Sequence, residues 1–230
     1  MDSLYTLKTI AHIRSDFPEK FGIPRQSGLI EELKAQIIFE PKYRNPDALK
    51  GLEGYSHIWL IWGFSEAIRE EWSPTVRPPR LGGNQRMGVF ATRSPFRPNP
   101  IGLSCVRLEG IDVTEGSGTI LHVSGADLMD GTPIFDIKPY LPYVESHPDA
   151  RGGFGDTKKE KQLKVVCPTE YLAQIPIDHQ KALLSILAQD PRPSYQNDPE
   201  RIYGMKYAEM NVKFYVENDV LHVCGIEPVS

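Results

Sequence analysis

The sequence predicts a mainly β protein, a barrel or sandwich of short strands followed by a small α+β C-terminal domain. Three observations carry that expectation. The first half holds six or seven short runs rich in β-branched and aromatic residues, separated by Pro/Gly loops. Ser146 to Glu160 is polar and glycine-rich (Gly152, Gly153, Gly155), with charges clustered from Lys158 to Lys161, and reads as a linker. Beyond it the pattern changes to one helical segment and a hairpin. The expected division is a β domain over 1–146, a linker over 147–160 and an α+β domain over 161–230.

Tyr5 to Ser15 alternates apolar and polar residues (Leu7, Ile10, Ile13) and is expected to be a strand. Phe17 to Gly28, with Pro18, Gly22 and Pro24, is a loop. Ala35 to Phe39 is a second strand and Asp47 to Leu52 a short helical turn. Tyr55 to Phe64, YSHIWLIWGF, is almost continuously apolar, which predicts a central strand buried on both faces. Met87 to Thr92, Leu103 to Val113, Gly118 to Gly125 and Pro133 to Pro139 follow as strands. In the C-terminal part, Asp178 to Gln189 places Ala182, Leu183, Ile186 and Leu187 at helical spacing, with Asp178 as the expected N-cap. Asn211 to Val216 and Val220 to Ile226 form a hairpin through Asn218-Asp219. A helix and a hairpin by themselves are too small for an extensive core.

Composition narrows the function classes. Hydrophobic residues at 40% and charged residues at 24% are ordinary for a soluble globular chain. Met1 to Ser15 lacks the apolar core of a signal peptide, and no stretch of about 18 uncharged apolar residues predicts a membrane span. Cys105, Cys167 and Cys224 are odd in number and far apart, which argues against disulfides and a CxxC zinc site and points to a reducing cytoplasm. Cys105 itself is expected in the core. The histidines show no HxH or HExxH spacing, so no metal is expected. GxGxxG, P-loop and GxSxG motifs are absent from the sequence.

The net charge of −4 hides an asymmetry. The 37 residues from Trp72 to Leu108 contain no Asp or Glu, where the chain-wide share of 30 in 230 corresponds to about five. The same window holds Arg77, Arg80, Arg86, Arg93, Arg97 and Arg107. Guanidinium groups suit phosphate or carboxylate because their planar fork donates two bonds at once. Within it, ATRSPFRPNPIGLS carries Pro95, Pro98 and Pro100, which stiffen a loop presenting Arg93, Arg97 and Asn99. A second cluster, DLMDGTPIFDIKPYLPY, sets Asp127, Asp130, Asp136 and Lys138 within twelve residues. Its carboxylates could serve as a hydrolytic pair, a metal site, a cation-binding edge or plain turn caps. On an alternating strand Asp136 and Lys138 share one face and Phe135 and Ile137 the other. FGIPRQ, Phe21 to Gln26, is a third polar loop.

These segments resemble the TrmO (YaeB/TsaA) family of tRNA methyltransferases. The similarity lies in KFGIPRQSGLI, LKGLEGYSHIWLIW, WSPTVRPPRLGGNQRMGVFATRSPFRPNPIGLS, DLMDGTPIFDIKPYLPY and, in the tail, LAQDPRPSY. It is dense from Tyr5 to Glu145 and sparser beyond. The resemblance implies a β-barrel that binds S-adenosylmethionine (SAM) near a homodimer interface. The implied reaction is methylation of N6 of N6-threonylcarbamoyladenosine at position 37 of a threonine tRNA. Carried over, Pro24, Arg25, Gln26, Ser65, Glu66, Arg93, Leu103, Asp127, Leu128, Met129 and Asp130 line the cofactor pocket. Family members often carry histidine where Ser65 stands here. Asp136 is the residue assigned nearest the transferred proton. Arg77, Arg80, Arg86, Arg97, Asn99 and Lys138 are assigned to the tRNA, whose anticodon-loop bases are unpaired and can be splayed into a pocket. Two rivals remain at the level of residues alone. One is a non-catalytic RNA-binding barrel that reads an anticodon loop; the other is an enzyme acting on a small anionic metabolite.

Overall fold

The computed structural model describes residues 5–66, 71–114, 118–155, 162–193, 198 and 200–229; for Arg80 and Thr114 it describes the backbone only. The N-terminal part contains β1 (Ala11–Arg14), β2 (Lys34–Phe39), β3 (His57–Gly63), β4 (Thr75–Val76), β5 (Met87–Gly88), β6 (Ile101–Thr114), β7 (Gly118–Ser124) and β8 (Pro133–Pro139), then a single helical turn α1 (Pro142–Glu145). Six of the strands close into a barrel in the order β1-β2-β7-β6-β3-β8, and β4 and β5 pair as a separate ribbon. The predicted barrel is therefore present. Closure sends alternate side chains inward, where Ile13, Ile37, Ile58, Leu60, Leu121 and Ile134 form the centre of one core cluster.

Several elements differ from the sequence reading. The first strand begins at Ala11 rather than Tyr5, because only Ala11 to Arg14 has Phe39 to Gln36 opposite to complete a ladder. Tyr5 and Leu7 stay exposed. β3 is buried on one face: Ile58 and Leu60 point inward, while Trp59 and Ile61 lie half-buried on the outer face. Met87 to Thr92 is a strand only to Gly88, and Val89–Ala91 turns as a 3-10 helix. Cys105 alternates with the inward Ser104 and Val106, so it lies half-buried on the outer face rather than in the core. A bulge between Ile61 and Trp62 sets two residues of β8, Phe135 and Asp136, against one step of β3.

The C-terminal part contains β9 (Lys164–Val166), α2 (Thr169–Leu172), α3 (Ile177–Ala188), β10 (Tyr203–Tyr207), β11 (Met210–Glu217) and β12 (Val220–Pro228). The hairpin is where it was expected: Asn218 (φ 48°) and Asp219 (φ 63°) turn between Glu217 and Val220. β10 adds to β11 through a second left-handed turn at Ala208-Glu209, and β9 adds parallel to β12. Asp178 is not the N-cap of α3; Pro176 occupies that position and Asp178 sits in the first turn, bonded at 2.9 Å to His179 Nδ1.

This small α+β part has a substantial core after all, because the barrel lends it residues. Phe17, Ile30 and Leu33, from the long connection between β1 and β2, are buried with Leu183, Leu187, Met205 and Phe214 in one cluster. At roughly 1.5–3 kcal/mol for each large apolar side chain buried, this insertion outweighs the exposed ion pairs at the same junction, Lys181 with Glu32 and Lys206 with Glu19. At the centre of the seam His179 bridges Asp16 at 3.2 Å and Asp178 at 2.9 Å, edge-on to Tyr207. Burial pushes the Asp16 carboxyl up, against the pull of His179. The connection that carries the FGIPRQ loop is thus anchored at both ends.

Candidate functional site

One mouth of the barrel gathers side chains from three sequence segments. β7 ends at Ser124, and Gly125, at φ 75°, swings the chain inward to present Ala126 and Asp127. Gly125 also bonds the Phe17 to Leu33 connection in both directions: its N–H donates to Leu33 O and its carbonyl accepts from Gly28 N–H, each at 2.8 Å. That pairing brings Gln26 and Ser27 beside Asp127.

Asp127 is the hub. Its Oδ1 accepts the Ser104 hydroxyl at 2.6 Å, and Ser104 Oγ accepts the Trp62 indole N–H at 3.0 Å. The Ser27 backbone N–H also donates to the Asp127 carboxylate. Ser27 Oγ accepts the Cys105 N–H at 3.1 Å, which ties the loop to β6. Arg93 reaches across from the proline-stiffened loop and donates to Gln26 Oε1. Burial pushes the Asp127 carboxyl above the usual carboxylate range, opposed by its hydrogen bonds and by the charge of Arg93. The indole of Trp62 lies flat over Gly102, where a Cβ would overlap it, and packs on Phe64 at a 4.4 Å centroid distance. The mouth therefore presents a part-buried carboxylate, a guanidinium, an amide and an aromatic wall.

The residues singled out from sequence divide into groups. Gln26, Arg93 and Asp127 meet at the mouth. Pro24 and Arg25 line an adjoining cavity of about 220 Å³ with Lys20, Pro79 and Arg192, the last held in a two-pronged pair by Asp190 at 2.8 Å. Leu128 is buried in the barrel core and Ser15 Oγ donates to its carbonyl at 2.9 Å. Met129 accepts from the Thr132 hydroxyl through its carbonyl at 2.7 Å. Asp130 is exposed and accepts the Ser15 N–H at 3.0 Å, the contact of a turn cap. Ser65 and Glu66 are exposed just beyond β3, with Glu66 3.6 Å from Lys20.

The outer face holds the rest. Leu103 and Asp136 both flank Ile61 of β3 in register. Asp136 is paired with Lys138 at 2.8 Å and accepts the Ile137 N–H at 2.9 Å. Arg77 and Arg86 are exposed, and Arg86 donates to Thr75 Oγ1 at 2.9 Å. Arg97 is half-buried and Asn99 exposed. The side chain of Arg80 lies outside the described residues. Sequence reasoning missed Ser27, Trp62 and Ser104; the one available signal was a serine at an inward position of a barrel strand, between Gly102 and Val106. Among the described residues no group of three His, Cys, Asp or Glu is placed to hold a metal ion.

The donor set fits SAM. A sulfonium cation calls for a carboxylate kept from solvent, and an amino-acid carboxylate tail calls for a guanidinium. Asp127 and Arg93 supply both within one hydrogen-bonded network.

Comparison with known proteins agrees with this chemistry. The family model described as the tRNA-methyltransferase O N-terminal domain matches residues 12–146, and that of the TrmO C-terminal domain matches residues 160–229. The chain is 40% identical over 234 residues to the tRNA (adenine(37)-N6)-methyltransferase of Escherichia coli (strain K12), covering 98% of this chain and 99% of that protein. It is 39% identical over 232 residues to a Pseudomonas aeruginosa protein provisionally described as an S-adenosylmethionine-dependent methyltransferase, RcsF, covering 96% and 97%. A crystal structure of TrmO from that organism superposes with a TM-score of 0.81 at 34% identity, over 100% of this chain and 99% of that one.

Proposed function

The chain belongs to the tRNA-methyltransferase O family, and from that membership we propose that it methylates N6 of N6-threonylcarbamoyladenosine at position 37 of a threonine tRNA. The coarser activity is SAM-dependent methylation of N6 of adenine 37 in tRNA: one full-length relative is named for the adenine 37 N6 position in tRNA and another for SAM dependence. The observation that carries the reading is the Asp127 network: a desolvated carboxylate joined to Ser104 and Ser27, with Arg93 alongside. When bound, SAM supplies an electrophilic methyl group on a sulfonium. Asp127 would face that positive charge, Arg93 and Gln26 the amino-acid end, and Trp62 would keep water from the mouth. Holding the reactants in line supplies much of the acceleration for such a transfer.

Asp136 is assigned the proton of the target nitrogen, from the outer face of β8 rather than from the mouth where Asp127 stands. That nitrogen lies between a purine and a carbonyl, so its proton is more acidic than that of an ordinary exocyclic amine. Replacement of Asp136 by Asn is expected to lower turnover roughly 10²–10⁴-fold, the usual worth of a positioned base, with SAM affinity unchanged. Full turnover in Asp136→Asn would remove the role. Arg77, Arg80, Arg86, Arg97, Asn99 and Lys138 are assigned to the tRNA, with the anticodon loop as the element recognised.

A second copy of the chain is the partner assigned to the outer face of β6, β3 and β8. Leu103 there is 48% exposed, and Tyr143 and Val144 of α1 are exposed beside Trp59, whose indole N–H donates to Glu145 at 2.8 Å. No described helix is long and apolar enough to cross a membrane, and the assigned compartment is the cytoplasm, where the substrate is found. Specificity is tested by incubating purified threonine tRNA and another tRNA bearing threonylcarbamoyladenosine with enzyme and SAM, then weighing the nucleosides. A methyl gained by the first alone supports the assignment; equal gain by both removes the threonine preference.

A further inference from the structure

Two large aromatic side chains stand on the surface of the acid-free segment. Trp72 is 50% exposed and Phe90 72% exposed, and their rings stack at 6.2 Å with 25° between planes. The arrangement is built by the fold. The β4–β5 ribbon, with Thr75 opposite Gly88 and Val76 opposite Met87, brings the residues just before β4 beside those just after β5. Val89 is buried and its N–H donates to Pro74 O at 3.0 Å, so the 3-10 turn that follows directs Phe90 outward. The Thr92 hydroxyl closes that turn on Val89 O at 2.8 Å.

Leaving two such rings in water forgoes burial worth about 25 cal/mol for each Å² of apolar surface, and exposed apolar patches of this kind mark interaction sites. What surrounds the rings selects the partner. Residues 72–108 contain no carboxylate, and the ribbon presents Arg77 and Arg86 to solvent. Three residues beyond Phe90, Arg93 joins Gln26 at the barrel mouth. Guanidinium groups on the same ribbon as exposed rings match single-stranded nucleic acid, whose phosphates take the charge and whose splayed bases stack on the rings. With half or more of each residue exposed, ring surface remains open to a base.

We propose that Trp72 and Phe90 form a stacking platform for an unpaired nucleobase of the anticodon loop, next to the adenine delivered to the barrel mouth. The proposal rests on the tRNA reading above and concerns two residues that lie inside the segments similar to the family but carry no assigned role there. It assigns binding, not chemistry, to the pair.

The test measures binding of the full chain to a labelled anticodon stem-loop RNA and to a blunt RNA duplex of equal length, with a SAM titration on each variant. In Trp72→Ala and Phe90→Ala, stem-loop affinity is expected to fall about 5- to 150-fold, the 1–3 kcal/mol of one base stack at 1.4 kcal/mol per tenfold. Duplex affinity, the salt slope and SAM affinity are expected to stay at the wild-type values, because the arginines and the barrel mouth are intact. Trp72→Phe and Phe90→Tyr, which keep a ring, are expected to retain binding. Unchanged stem-loop affinity in the alanine variants overturns the platform and leaves the tRNA reading standing. Equal losses on duplex or on SAM overturn it in favour of a merely structural role. Wild-type chain that binds neither RNA overturns the tRNA reading and the platform together.

Discussion

Asp127→Asn is expected to weaken SAM binding by about 30-fold or more while making the cofactor-free protein no less stable. The loss in affinity follows from removing a desolvated negative charge opposite a sulfonium, worth roughly 2–5 kcal/mol when such a pair is truncated. The stability effect runs the other way because burial raises the Asp127 carboxyl above its ordinary value. A group raised in this way favours the folded state most below the ordinary carboxylate value, and that contribution is lost as pH rises through the folded-state pKa. At neutral pH the ionised carboxylate is therefore a burden on the fold that the amide lacks. The melting temperature of Asp127→Asn should equal or exceed wild type at neutral pH, with the gap closing as pH falls. Wild-type SAM affinity should decline as pH drops through the raised pKa and the variant's should not. Calorimetric titration and thermal melts across pH check both halves. Intact affinity with a lower melting temperature would make Asp127 a structural acid.

Gly102→Val should damage fold and site together. A side chain at Gly102 occupies the space of the Trp62 indole, so the ring must leave the barrel mouth. Its N–H then leaves Ser104 Oγ, the donor to Asp127. Overpacking of this kind costs about 1–3 kcal/mol, which for a chain of this size lowers the melting temperature by roughly 2–4 °C per kcal/mol. SAM affinity should fall as well, since the carboxylate loses its fixed orientation. Gly110 is the control on the same strand: a Cβ there meets nothing within 4 Å, and Gly110→Ala should be close to neutral in both measurements. Equal behaviour of the two variants would show that the indole is not held by Gly102.

The barrel was legible because its strands declare themselves locally. Alternation across β2, β6 and β7 and the turn residues between them survive in any register. The outer face of β3 misled, because Trp59 and Ile61 are apolar yet lie against Tyr140 and solvent-facing neighbours rather than a second layer. In the C-terminal part the Asn218-Asp219 turn carries its own chemistry, whereas Ala208 and Glu209 adopt the same left-handed backbone without any residue that signals it. β9 is three residues long and pairs parallel, so only the tertiary fold defines it.

The site was half legible for a related reason. Asp127, Arg93 and Gln26 stand in loops whose charge and proline content mark them. Ser104, Ser27 and Trp62 are ordinary residues drawn into the candidate site by contacts 23, 78 and 42 positions apart in sequence: Ser104 to Asp127, Ser27 to Cys105 and Trp62 to Ser104. Apart from the inward position of Ser104, nothing local marks such partners. Asp130 shows the converse, an acid in a promising motif whose carboxylate caps the Ser15 N–H.

Methyl transfer from SAM to modified adenine 37 is measured by tritium counting from labelled SAM into two tRNA pools. One pool carries threonylcarbamoyladenosine and the other comes from cells unable to make it. Label in the modified pool alone, sharply reduced at limiting SAM when Asp127 is replaced, is the predicted result. No label in either pool, together with no SAM binding in a parallel titration, would contradict the methyltransferase and leave an RNA-binding barrel in its place.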